Sequence, residues 1–223
     1  MNDRINELNN WYSKGYLSCY YNGPLRRGWG LVHRLMERPY RSTDVFPKVL
    51  ELGAGSGEHI EYVKHSWEKY ILSDIRKPVD LELPANVAWK QIDATNLESI
   101  ESKTIDRLIA TCLIAHLPNP YLVLKEWKRV VAVGGIISIY IPSEPSFLLR
   151  VIRKLYIFPR ARRFGLTNPK LLSAIDHPNH FPGIRACVED VFISDEIKFG
   201  RFPFSLLGWN WSIFEIVQIK IKE

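Results

Sequence analysis

Apolar residues follow two rhythms along this chain. Short, near-continuous apolar runs alternate with stretches in which apolar positions recur at spacings of three and four. Runs of the first kind read as strands, and spacings of the second kind mark one face of a helix. Strands are predicted at Lys48–Leu52, Tyr70–Ile75, Val87–Ile92, Ile105–Thr111 and Ile136–Ile141. A first helix is predicted from Leu25 to Tyr40, with Leu31, Val32, Leu35 and Met36 on one face and Pro39 ending it. Ile60, Val63, Trp67 and Tyr70 predict a helix after the first strand. Another spans Pro120 to Val131, with Leu122, Val123, Trp127 and Val130 inward and Gly134-Gly135 stopping it. A short helix near Gly183–Val191 and two late strands, near Ile193–Phe199 and Phe214–Ile221, complete the pattern. Strands alternating with helices, in runs that lack polar interruptions, predict an α/β fold with a doubly wound sheet, mostly parallel and covered on both faces. The late strands, joined by a loop, predict an antiparallel hairpin at one edge.

The first strand runs into Gly53-Ala54-Gly55-Ser56-Gly57. A glycine-rich turn between a strand and a helix lets backbone N–H groups approach a polar or anionic ligand. In open α/β sheets ligands bind at the carboxyl ends of the strands. An acid about 20 residues further on takes ribose hydroxyls, and Asp74 stands 21 residues after Gly53. Strand, loop, helical pattern, strand and acid in series make a nucleotide-type ligand the leading reading, against a tight turn that merely needs glycine. Dinucleotide sites prefer G-x-G-x-x-G, whereas the spacing here is G-x-G-x-G, preceded by Glu51.

At these residues the chain resembles the class I S-adenosylmethionine-dependent methyltransferases, in particular their type 11-like domains. Glu51 to Gly57 is similar to their first motif, Asp74 to their ribose-binding acid, and Asp93-Ala94 to the pair at the adenine amino group. Ile105-Asp106 with Ala115-His116-Leu117 resembles their fourth-strand region, and Val133-Gly134-Gly135 the turn before their fifth strand. The likeness covers about residues 45 to 145. It implies a Rossmann-like seven-stranded sheet of order 3-2-1-4-5-7-6 with strand 7 antiparallel, and S-adenosylmethionine as cofactor. It also implies roles: Glu51, Gly53, Ala54, Gly55 and Gly57 at the methionine end, Asp74 and Ile75 at the ribose, Asp93 and Ala94 at the adenine, and Thr111 and Cys112 beside the methyl group. No N-P-P-Y-type motif follows the fourth strand, and Ala115-His116 stands where many relatives carry Glu-His. Details of the acceptor therefore do not carry over.

Composition bounds the rest. The chain has 223 residues, 46% apolar and 24% charged, with a net charge of +6. These values describe a globular domain able to bury a core without metal or disulfide staples. Cys19, Cys112 and Cys187 form no CxxC pair, which points to a reducing compartment and away from a structural metal site. The N-terminal Met-Asn-Asp-Arg lacks the apolar region of a secretory signal, and no run is long enough to span a membrane. The expected location is cytoplasmic. Seven cations and no acid lie between Glu144 and Asp176: Arg150, Arg153, Lys154, Arg160, Arg162, Arg163 and Lys170. They account for the whole excess. The expected organisation is an N-terminal helical cap over 1–44 and a methyltransferase domain over 45–223, with a basic insertion at 145–181. In the insertion the cations alternate with Leu148, Leu149, Val151, Ile152, Leu155, Tyr156, Ile157 and Phe158, an amphipathic pattern up to Pro159. It suits an anionic acceptor, held by Arg160, Arg162 and Arg163, or peripheral contact with an anionic membrane surface. A nucleic-acid partner is not expected.

His177-Pro-Asn-His180 falls after the fifth strand, where an acceptor site is expected. His177 and His180, with His116 near the end of the fourth strand, are the candidate bases for a hydroxyl acceptor. A metal site ranks lower, because no third ligand is located by sequence. Tyr121 and Lys125 form the Y-x-x-x-K string of short-chain dehydrogenases but at the wrong place, and read as an ordinary helix face. Tyr12, Tyr16, Tyr20, Tyr21, Arg26 and Arg34 are candidates to close over a cofactor. The reading is a methyltransferase acting on a small-molecule or glycan- or lipid-linked precursor, with oxygen as the methylated atom. A nicotinamide-dependent oxidoreductase and a non-catalytic binding module are the alternatives.

Overall fold

The computed structural model describes residues 6, 7, 11, 24–76, 78 and 82–223. Tyr12, Tyr16, Tyr20, Tyr21, Cys19 and the side chain of Arg26 lie outside the described residues. Seven strands form one sheet: β1 (Lys48–Leu52), β2 (Lys69–Asp74), β3 (Val87–Gln91), β4 (Ile105–Ala110), β5 (Val131–Pro142), β6 (Glu196–Pro203) and β7 (Ser212–Lys220). Their order is 3-2-1-4-5-7-6. The pairs β1/β2, β1/β4, β2/β3 and β4/β5 are parallel, and β7 runs antiparallel to β5 and β6. The predicted sheet and edge hairpin are both present. A chain reversal without a crossover lets β7 return antiparallel between β5 and the edge strand β6, whereas parallel neighbours require a crossover connection between them.

The helices are α1 (Pro24–Met36), α2 (Pro120–Val130), α3 (Phe147–Ile152), α4 (Phe158–Arg163), α5 (Pro169–Asp176) and α6 (Phe181–Val191). Alternate strand residues face opposite layers. Leu50, Leu52, Leu108, Ile137 and Ile139 join Val123, Leu124 and Trp127 of α2 and Ile184 and Val188 of α6 in one buried layer. Val49, Tyr70, Leu72, Ile109 and Ile216 pack on the other side with Val32 and Met36 of α1.

Several local expectations need correction. The helix predicted from Ile60, Val63, Trp67 and Tyr70 is a single 3-10 turn, Glu58–Tyr62. Residues beyond it are drawn out against 44–47: Val45 bridges Ser66, and Pro47 O accepts from Glu68 N and Lys69 N. The helix-like spacing there comes from ring packing, in which Trp67 meets His65 and Tyr70 edge-on. Gly134-Gly135 does not precede β5 but lies within it. Gly134 takes φ +84, and a Cβ on Gly135 would meet Asp106 O at 2.9 Å, so the pair lets β5 pass close to β4. Leu122 is not inward but 58% exposed. Pro159 does not end the basic helix. A π-helical turn, Arg153–Ile157, joins α3 to α4, and Pro159 falls in the first turn of α4. The wider turn accommodates a residue that cannot donate to the helix ladder. The late strands begin and end differently from the prediction, and Ile193 is 81% exposed before β6.

Arg107 on β4 is fully buried. Its guanidinium grips Glu37, just past α1, through Nη1 to Oε2 (2.9 Å) and Nη2 to Oε1 (2.5 Å). It also lies 3.8 Å from the centre of the Tyr40 ring. Burial opposes charge on Glu37, but hydrogen bonding by His59 and the charge of Arg107 hold its carboxyl down, at about 2. His59, on the 3-10 turn, reaches Glu37 Oε1 through Nε2 (2.8 Å) and His33 of α1 through Nδ1 (2.8 Å). Removing one partner of a buried ion pair strands the other, at a cost of about 3–5 kcal/mol. Glu37→Ala is therefore expected to destabilise the domain by about that amount, read as a lower urea midpoint with an unchanged slope.

Candidate active site

A cavity of about 1240 Å³ opens at the carboxyl ends of β1, β2 and β4 and extends beneath α3, α4 and α5. Pockets for one small ligand occupy roughly 300–1,000 Å³, so this space suits two ligands side by side. One end is a cradle. Gly53 and Gly55 take φ +65 and +56, a backbone region that side chains strain. A Cβ on Gly53 would also meet Leu113 Cδ1 at 2.9 Å. Gly57 (φ +86) is not on the cavity wall; it turns the chain into the 3-10 turn, with its N–H donated to Ala54 O (2.8 Å).

Ten of the eleven predicted cofactor residues line this end: Glu51, Gly53, Ala54, Gly55, Asp74, Ile75, Asp93, Ala94, Thr111 and Cys112. Gly55 N–H donates to Asp74 Oδ2 (3.1 Å) and Arg76 N–H to Oδ1 (2.9 Å), which fixes the carboxylate at the tip of β2. Asp93 accepts through Oδ1 from Thr95 N (2.9 Å) and Thr95 Oγ1 (2.7 Å), and among the described residues Oδ2 has no hydrogen bond, which leaves it to meet an amino group. Ile75 is 56% exposed between the two acids, an apolar surface of the kind a flat ring covers. Glu51 is buried and takes Tyr70 Oη–H at 2.6 Å; desolvation pushes its carboxyl up. Cys112 stands at φ +55, and burial pushes its thiol well up, so it is a wall rather than a nucleophile. Backbone turn, two acids and an apolar floor together fit an adenosyl amino acid.

The other end carries the candidate bases. His177 and His116 line the cavity, with ring centres 4.3 Å apart and edge-on. His180 is exposed, begins α6 and is not on the wall. His177 Nδ1 lies 2.5 Å from Glu144 Oε1, and Arg153 also bonds that carboxylate. Burial opposes charge on Glu144, yet the His177 hydrogen bond and the Arg153 charge hold its carboxyl below the ordinary value. A carboxylate can only accept, so Nδ1 donates, and in the neutral ring Nε2 keeps a lone pair. Asp176 bonds His116 Nδ1 through its backbone oxygen (2.9 Å) and lies 3.8 Å from His177 Nε2 through its side chain. Donor atoms of His116, Asp176 and His177 come within 4.8 Å of one another, close enough that the trio could also hold a cation.

The basic segment has two faces. Leu149, Ile152, Ile157, Phe158 and Ala161 line the cavity, and among its cations only Arg153 does so. Arg162 and Arg163 are exposed, and Arg160 lies over the Phe164 ring at 5.2 Å. The three arginines expected to hold an acceptor are thus not on the cavity wall. Sequence reasoning missed Glu144 and Arg153 as site residues. Glu144 entered only as the last acid before the cationic run, and no local pattern pairs it with a histidine 33 residues away. Lys125 lies over the Tyr121 ring at 4.5 Å on α2, as an ordinary helix pair. Among the described residues, no helix is long and apolar enough to cross a membrane.

Residues 50–139 match the family model described as a methyltransferase domain. Methyltransferase str2 of Strobilurus tenacellus is 32% identical over 90 residues, 40% of this chain and 33% of that protein. The chain thus spans about a third of that relative's length. A SAM-dependent methyltransferase from Archaeoglobus fulgidus superposes with a TM-score of 0.59 at 16% identity, over 92% of this chain and 97% of that one. The trans-methyltransferase CalH, solved with S-adenosylhomocysteine, does so with 0.55 at 16%, over 85% and 54%. Residues 50–139 form a methyltransferase domain of the S-adenosylmethionine-dependent class, and the cradle lies within it.

Gly55 is the point at which to test the cradle. A Cβ there finds only Glu58 Oε2, at 3.6 Å, so a long side chain would project into the ligand space. Gly55→Arg is expected to abolish S-adenosylmethionine binding in a calorimetric titration while leaving the far-ultraviolet circular dichroism unchanged.

Proposed function

We propose that the chain O-methylates a largely apolar small molecule or lipid-linked precursor, with His177 as the general base. The observation that supports this reading is the Glu144–His177 pair standing in the cofactor's cavity, opposite the apolar wall of α3, α4 and α5. Leu149, Ile157, Phe158, Leu166 and Leu172 offer an acceptor dispersion contacts and no ionic ones. The apolar wall favours a ring or chain over a sugar as the bulk of the acceptor.

The cofactor supplies an electrophilic methyl group on a cationic sulfur. The protein orients and deprotonates. Orientation supplies much of the acceleration of a displacement of this kind. When the acceptor oxygen bonds to the methyl carbon, the carbon–sulfur bond would break to leave a neutral thioether, and the acceptor's O–H proton would pass to His177 Nε2. Glu144 steadies the resulting imidazolium from the Nδ1 side, and Asp176 lies on the other. Arg153, bonded to Glu144 and to Ser173 Oγ (2.9 Å), keeps the carboxylate in place. Trp29, Leu31 and Val32 of α1 line the cavity at the cofactor end.

The test is production of S-adenosylhomocysteine with a panel of hydroxylated aromatic and isoprenoid acceptors, set against sugars. His177→Ala is expected to lower kcat by roughly 10²–10⁴, with cofactor affinity retained; wild-type turnover in that variant would remove the base. Titration with NADH is expected to give no heat, and heat would favour the oxidoreductase alternative.

The outward face of the basic segment is proposed to rest on an anionic membrane surface. Arg150, Lys154, Arg162 and Arg163 are exposed there beside Leu155 (71% exposed) and Tyr156 (41%). Basic and apolar side chains interleaved at one surface suit a lipid interface. Charge reversal at Arg160, Arg162 and Arg163 is expected to release the protein from anionic vesicles in a sedimentation assay without altering cofactor affinity. Equal sedimentation of both forms would exclude this face.

A further inference from the structure

From Phe202 to Ile213, where β6 turns into β7, the chain carries no charged residue. Pro203, Phe204, Ser205, Leu206, Leu207 and Gly208 are exposed in one run, and Leu206 is 98% exposed. Trp211, on the 3-10 turn that closes the loop, is exposed as well. Single apolar residues at a surface are ordinary, whereas a contiguous group of them marks a site of contact.

The loop is held outward. Arg201 Nη1 donates to Leu207 O (3.1 Å), Trp211 N to Gly208 O (3.0 Å) and Ser212 Oγ to Trp209 O (2.7 Å). The Trp209 ring is stacked on Phe181 of α6, with centres 5.8 Å apart. The base of the loop is thus anchored to the domain, and Phe204, Leu206 and Leu207 stand in solvent at its tip.

The neighbouring surface indicates what covers this tip. The Trp211 ring meets Phe147 edge-on, with centres 5.5 Å apart. Phe147 opens α3, and Arg150 and Lys154 follow it at helical spacings of three and four, which puts the three on one side. All three are exposed. The apolar loop therefore adjoins the run that holds seven cations and no acid between Glu144 and Asp176. An anionic bilayer answers both parts at once, with headgroups for the cations and hydrocarbon for the loop. Tryptophan, apolar with one polar N–H, suits the boundary between them. A tip residue as exposed as Leu206 gives a flat protein partner little area, but it enters a fluid layer with its whole surface.

We propose that the β6–β7 loop inserts Phe204, Leu206 and Leu207 into an anionic membrane, while Arg150 and Lys154 lie among the headgroups beside it. The inference rests on the proposed membrane face of the basic segment and deepens it. Charge attraction is joined by apolar insertion, and stable attachment takes two such signals. Phe202 and Ile213, at the two ends of the loop, line the cavity, as do Leu149 and Ile152 of α3. Both anchoring elements therefore also belong to the cavity wall.

The test is sedimentation with vesicles of phosphatidylcholine and phosphatidylglycerol. Leu206→Asp combined with Leu207→Asp alters only exposed positions, so an unchanged melting temperature is expected. That double variant is expected to bind the vesicles at least about tenfold more weakly than the unaltered chain. Leu206→Trp, which keeps an apolar tip, is expected to retain binding. Full vesicle affinity in the double variant would overturn insertion and leave the basic face standing. Failure of the unaltered chain to sediment with these vesicles would overturn the membrane reading as a whole. A dimer of the unaltered chain in vesicle-free sedimentation velocity, lost in the double variant, would assign the loop to a second copy and overturn insertion.

Discussion

A guanidinium in the middle of a sheet has no water to turn to, and Arg107 is in that position on β4. Its charge requires a carboxylate in a fixed place, and among the described residues Glu37 supplies it. The requirement runs outward from there. Glu37 follows α1 directly, so the pair ties that helix to the centre of the sheet. Glu37 also engages His59 on the turn after the glycine loop, and His59 engages His33. One desolvated cation thereby places α1, the loop's exit and the cavity wall relative to each other. Tyr40, Ser138 and Gln218 complete its surroundings, with Tyr40 Oη donating to Gln218 Oε1 at 2.5 Å.

The cavity has a division of labour that follows from topology. The cradle is built where β1, β2 and β4 end, from short turns whose backbone is fixed by the sheet. The acceptor end is built from the long excursion between β5 and α6, where helices pack on helices and the sheet imposes little. Glu144 connects the two: it leaves the end of β5, and its backbone oxygen takes Phe181 N at 2.7 Å while its side chain holds His177 and Arg153. His177 is thus mounted on the sheet through one residue even though it is itself in a loop. That arrangement fixes the His177 ring while the rest of the helical wall is free to vary.

The sheet and the glycine turn with its strand-end acids were legible in the sequence because both are local. A strand announces itself by an apolar run, and Glu51 to Gly57, Asp74 and Asp93 sit at strand ends in a fixed order. Contacts between distant segments left no such trace. Arg107 reads as an ordinary strand residue next to Asp106, and Glu37 as a solvated helix end; neither suggests the other across 70 positions. The missing helix after β1 was misread for a related reason. Trp67 and Tyr70 have helical spacing but answer to ring partners and to strand β2. The charge of the basic segment was visible and its direction was not, since sequence shows that cations and apolar residues alternate but not which set faces the ligand. Around His177 the sequence offered His180 as the companion, whereas folding brings His116 and Glu144 instead.

The π-helical turn at Arg153–Ile157 bears on how such a site changes over generations. A turn of this kind holds one residue more than an α-helical turn, and each residue of an α-helix rotates the next by about 100°. Loss of a single codon there would return the segment to regular winding and rotate everything beyond it by that angle. Phe158 and Ala161 would leave the cavity wall, and a cationic edge of α4 would swing toward it. Substrate preference could then pass from apolar to anionic molecules in one deletion, with the strand-end cradle and Glu144, which precede the turn, untouched.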